Sequence, residues 1–106
     1  MSTKQQKKDK VESPARISVE RVQTGVRIEK RLLKVLKGLA EYHDMSLGDL
    51  LEGIVLHVFE GKLPFKDDSL SRIAQLRDIY GLDLTTEASH RLYEGEKSSA
   101  EKKKKE

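Results

Sequence analysis

Residues 21–28 read RVQTGVRI, and what this stretch pairs with decides the fold. Val22, Val26 and Ile28 fall on even positions, and Arg21, Gln23 and Arg27 on odd ones. That is the period-two pattern of a half-buried strand. The rest of the chain offers no convincing second strand. A lone strand leaves a row of unpaired backbone donors and acceptors, and even a two-stranded hairpin is marginal without something to pack on. The pattern therefore predicts a partner strand in another molecule. A competing register lies upstream, where RISVE at residues 16–20 places Ile17 and Val19 out of phase with Val22 and Val26. A bulge near Arg21 joins the two phases, or RISVERVQTGVRI folds as a hairpin turning near Thr24 and Gly25.

The next segment, EKRLLKVLKGLAEY, spaces Leu32, Val35, Leu36, Leu39 and Ala40 for one face of a helix of about three turns. The segment HDMS interrupts it. Ser46, followed three residues later by Asp49, reads as a helix start: the hydroxyl caps the amides and the carboxylate meets the positive end of the dipole. The second helix, SLGDLLEGIVLHVFEG, carries Leu47, Leu50, Leu51, Ile54, Val55, Leu56, Val58 and Phe59, too many apolar residues for one narrow stripe. A helix apolar nearly all round is expected to be buried nearly all round. Gly48 and Gly53 each cost about 1 kcal/mol relative to alanine, which suggests close backbone approach at those points. Gly61 and Pro64 end the helix. A third helix, capped by Asp68 or Ser69, carries Leu70, Ile73, Leu76 and Ile79 or Tyr80 and closes at Gly81. A short fourth helix is expected from Thr86 to Tyr93.

A strand, a helix, a short turn and a strongly apolar helix within about forty residues cannot bury enough surface alone. Two copies can. With RVQTGVRI paired antiparallel across a two-fold axis, the even side chains cover a core of four interlocked helices and the odd ones face solvent. In this the chain resembles the ribbon-helix-helix family of DNA-binding proteins, over the stretch from Val22 to about Glu60. Val26 and Ile28 match the family's core strand positions. Leu32, Leu36, Leu39 and Ala40 match the first helix's core, and Ser46 the start of the second helix. The resemblance implies a mainly α fold: an intermolecular two-stranded antiparallel ribbon in a homodimer, with one or two further C-terminal helices. It also implies that Gln23, Gly25 and Arg27 face the bases in the major groove. The chain departs from the family's pattern at Thr24, where a larger apolar residue is usual, and at Gly25, which removes one base contact.

Arg27 has the fork that engages guanine O6 and N7, and Gln23 the amide that pairs with adenine. Ser46 with the amides of Leu47 and Gly48 suits a phosphate, because unpaired N–H groups coincide with the positive dipole end. Arg21 is the fourth candidate phosphate contact. The division expected is a disordered basic arm at 1–15, a dimerisation and DNA-binding domain at 16–61, a helical extension at 62–95 and a disordered lysine-rich tail at 96–106. Lys4, Lys7, Lys8 and Lys10 crowd one end and Lys102 to Lys105 the other, serving either solubility or polyanion binding.

The remaining composition narrows the class. The chain has 106 residues, no cysteine and no tryptophan, 37% charged residues and a net charge of +3. No disulfide or thiolate metal site is open to it, and nothing resembles a signal peptide or a spanning apolar run, so a cytoplasmic protein is expected. His43, His57 and His90 lack the spacing of metal ligands, and no phosphate loop or nucleophile motif is present. Neither an enzyme nor a cofactor is expected. The functional expectation is sequence-specific binding of double-stranded DNA by a homodimer that regulates transcription. The alternatives are an antitoxin or partition accessory of the same fold, binding a protein partner through the region from Leu70 to Tyr93, and a dimerisation module that binds no DNA.

Overall fold

The computed structural model describes residues 15–95, so the two lysine-rich ends lie outside the described residues. Three α-helices follow one another: α1 (Lys30–Tyr42), α2 (Leu47–Phe59) and α3 (Asp67–Tyr80), with a short 3₁₀ turn at Thr86–Ala88. Among the described residues no strand forms. Residues 15–29 run without regular secondary structure, and residues 15–28 are exposed throughout.

The ribbon-helix-helix fold expected from residues 21–28 is therefore corrected: the described residues are mainly helical and form no two-stranded ribbon. The physical reason lies in the ladder itself. Each residue of a strand needs a facing donor and acceptor, and the described chain provides no second strand. Nor do the even positions cover a core, since Val22 and Val26 are 81% and 73% exposed. The alternation is present in the sequence without being expressed in burial.

The helices form where the apolar spacing places them. Glu29 caps α1, its carboxylate accepting the Leu32 N–H at 2.9 Å. Asp44 ends that helix in the left-handed region, at φ 57, while the N–H of Met45 reaches back to the Ala40 carbonyl at 3.0 Å. Ser46 caps α2 as expected, accepting the Asp49 N–H at 3.1 Å. Gly61 and Gly81 adopt positive φ at the ends of α2 and α3, each followed by a backbone bond from the next residue, Lys62 to His57 and Leu82 to Arg77. These endings satisfy carbonyls that the last turn leaves open.

Two boundaries differ from expectation. The cap of α3 is Lys66, which makes no side-chain capping bond, two or three residues ahead of the expected Asp68 or Ser69. Ser69 is instead buried at 5% exposure, its hydroxyl 2.9 Å from His43 Nε2. The expected helix from Thr86 to Tyr93 contracts to one 3₁₀ turn, held by Thr85 accepting the Glu87 N–H.

The core is small and is centred on α1. Val35, Leu39 and Ala40 of α1, Leu50 of α2, Leu76 of α3 and Leu82 just beyond it are buried, with Leu32, Leu36, Ile54, Phe65, Ile73 and Leu84 packed around them. Helix α3 runs antiparallel to α1, and polar contacts fasten both ends. His43 meets Ser69 at one end; at the other, Arg31 Nη1 donates to the Gly81 carbonyl at 2.8 Å and to Asp83 at 3.1 Å. Along the seam Arg72 lies over the Tyr42 ring and Lys34 over that of Tyr80. Close approach occurs at Gly38, where an added Cβ would sit 2.8 Å from Leu76 Cδ2; Gly53 has nothing within 4 Å and Gly48 only the Ser46 hydroxyl at 3.9 Å.

Helix α2 contributes less to this core than its composition suggests. Leu50 is buried, but Val55, Leu56, Val58 and Phe59 are exposed, Phe59 by 81%. Leu63, just past the helix end, is exposed as well. One face of α2 thus lies uncovered in the single chain.

Candidate nucleic-acid interface

The arm of residues 15–28 carries Arg16, Arg21 and Arg27 against the single acid Glu20. Two of those arginines are tied to the helical body. Arg21 engages Glu52 of α2 with both edges of a fork, Nε to Oε2 and Nη2 to Oε1, each at 2.8 Å, and lies 3.5 Å from Asp49. Arg27 engages Glu94 in the same manner, with Nε 2.9 Å from Oε1 and Nη2 against Oε2.

These pairs bear directly on charge. Hydrogen bonding to Glu52 and the charge of that carboxylate hold Arg21 above its ordinary pKa, against the opposing effect of burial. The same bond to Arg21 holds Glu52 below its ordinary value. Glu94 raises Arg27 likewise, by hydrogen bond and then charge. All four side chains are largely solvent-exposed, so water screens each pair and none is a strong structural lock.

The sequence-predicted site residues separate into two groups. Arg21 stands beside the first turn of α2, where Ser46 is the cap and Leu47 and Gly48 supply the leading amides. The candidate phosphate contacts thus lie close together. The Ser46 hydroxyl is engaged in capping, while the first amides of any helix have no partner within it. Arg27 is held elsewhere, by the segment beyond α3, and Gln23 and Gly25 are exposed on the arm between the two arginines. Open space surrounds Gly25.

Sequence reasoning missed the acids. Asp49 and Glu52, one turn apart, share a face of α2, but nothing local relates them to Arg21, 31 residues from Glu52. Glu94 lies 67 residues from Arg27 and gave no signal. A concavity of about 310 Å³ opens between α2 and the start of α3, with Leu50, Ile54 and Phe65 in its lining and His57, Lys66 and Asp68 among its polar groups. Among the described residues no cluster of three potential metal ligands occurs, and no helix is long and apolar enough to cross a membrane.

Compared with family models, with curated proteins and with solved structures, the chain matches none.

Proposed function

We propose that this chain binds double-stranded DNA as a homodimer and serves as a regulator of transcription. In this reading the arm of residues 15–28 meets the bases and the first turn of α2 meets phosphate. The observation that carries it is the arm itself, fully exposed, with three arginines against one acid and with Gln23 between them. Guanidinium forks and an amide are the groups that read base edges. Arg21 beside the Ser46-capped turn adds a cation to amides that suit an anion. The uncovered apolar face of α2 supports the homodimer, because an exposed apolar face of that kind marks a partner surface. The arm enters this reading as an irregular segment, not as a strand ribbon.

Selection of bound duplexes from a random pool, followed by titration at two salt concentrations, tests the proposal. A preferred duplex should emerge. Arg27→Ala should then weaken that duplex roughly 5- to 100-fold, the discrimination a good bidentate base contact supplies, and unrelated duplex much less. Equal weakening of both would reduce Arg27 to a phosphate contact, and no enrichment with no salt-dependent binding would remove DNA from the reading altogether.

A second reading, a dimerisation module that binds no nucleic acid, is favoured by one observation: Arg21 and Arg27 already hold carboxylates. The same selection separates the two.

A further inference from the structure

We propose that Glu94 is a built-in competitor for nucleic acid, a carboxylate that occupies the Nε–Nη2 edge of the Arg27 guanidinium in the free protein and opposes an incoming DNA acceptor at that edge. This inference rests on the DNA-binding reading and adds to it a residue that sets affinity. Two observations carry it. The first is geometry: Glu94 meets Arg27 through both Nε and Nη2, the two-toothed engagement by which a guanidinium grips a phosphate or a guanine edge. A fork edge filled by one acceptor pair cannot hold another. The second is placement. Arg31, four residues after Arg27, fixes Gly81 and Asp83, and Arg77 fixes the Leu84 carbonyl at 2.8 Å. The segment leading to Glu94 is therefore anchored beside the root of the arm, and the pair follows from how α3 is fastened to α1.

The competition is modest by construction. Both side chains are mostly in water, 83% and 63% exposed, where an ion pair is weak and salt-screened. It lowers affinity without preventing binding. Arg21 faces a parallel cost, but from two carboxylates, Glu52 and Asp49, so no single substitution there isolates it.

The experiment is a double-mutant cycle on the full chain, titrating a selected duplex with wild type, Glu94→Gln, Arg27→Ala and the double variant. Glu94→Gln should tighten binding roughly two- to fivefold, the range exposed ion pairs command, and should have no effect in the Arg27→Ala background. In DNA-free protein, the Arg27 side-chain N–H resonance should shift on Glu94→Gln. Equal tightening in both backgrounds would show a general charge effect and overturn the proposal, as would no tightening at all. Arg27→Ala binding like wild type would instead sink the role of Arg27 in the DNA-binding reading; the resonance shift would then still report whether the pair forms.

Discussion

Glu29 faces two donors at once, the Leu32 amide at 2.9 Å and Arg31 Nε at 2.9 Å. Partial burial pushes its carboxyl up, but the Leu32 amide and the Arg31 guanidinium outweigh that and hold it below the ordinary value. A folded-state pKa below the unfolded one means the carboxylate stabilises the fold above the unfolded pKa. That contribution is lost as pH falls through the folded pKa, on the acid side of the ordinary glutamate value near 4.3. Glu29→Ala should therefore cost about 1 kcal/mol at pH 7, as the loss of a helix cap does, and cost less at a pH acid to the ordinary glutamate range, as the wild-type carboxylate takes up its proton. Thermal melts at both pH values measure the difference. A gap that stayed constant would mean that the charge contributes nothing and that the side chain acts by packing.

At the scale of the element, the contact between α1 and α3 makes a sharper prediction. Gly38→Ala should gain about 1 kcal/mol of helix propensity on an ordinary surface. On this surface the new methyl would meet Leu76 Cδ2 at 2.8 Å, and overpacking a close core costs about 1–3 kcal/mol. Leu76 is buried at 8% exposure, so its side chain has little room to yield. The substitution should destabilise wild type yet stabilise the Leu76→Ala variant, a change of sign that urea unfolding of the four proteins would reveal. The same sign in both backgrounds would mean that the Leu76 side chain gives way to the new methyl. This contact also marks a limit of what the chain discloses. The spans of α1 and α2, the Ser46 cap and the Gly81 ending are legible because 3.6-residue spacing and capping chemistry are local. Gly48 and Gly53 draw attention in the sequence while Gly38 does not, since the atom that crowds a glycine comes from a distant helix. Residues 21–28 misled for a related reason: alternation states what a strand would bury, but not whether a second strand exists to complete it. The fork of Arg27 was legible as chemistry, while its occupation by Glu94 depends on where α3 brings the chain.

For the molecule as a whole, six apolar side chains are buried among the described residues, a small core for a domain to stand on. Against it lie Val55, Leu56, Val58, Phe59 and Leu63, all exposed and all within nine residues of sequence on or just past α2. Leaving such a face in water forgoes about 25 cal/mol for each Å² of apolar surface, and a second copy is the partner always present at matching concentration. If folding and association are coupled in this way, the midpoint of thermal unfolding must rise with protein concentration by mass action. Leu56→Asp with Phe59→Asp should break the association, because facing copies would bring unpaired carboxylates together in an apolar contact. Neither side chain belongs to the buried core, so the doubly substituted chain should retain its helical signal while sedimenting as a monomer, with a lower midpoint that no longer depends on concentration. Wild type sedimenting as a folded monomer at micromolar concentration, with an unfolding midpoint indifferent to dilution, would leave the α2 face without a second copy and remove the homodimer from the proposed mode of DNA binding.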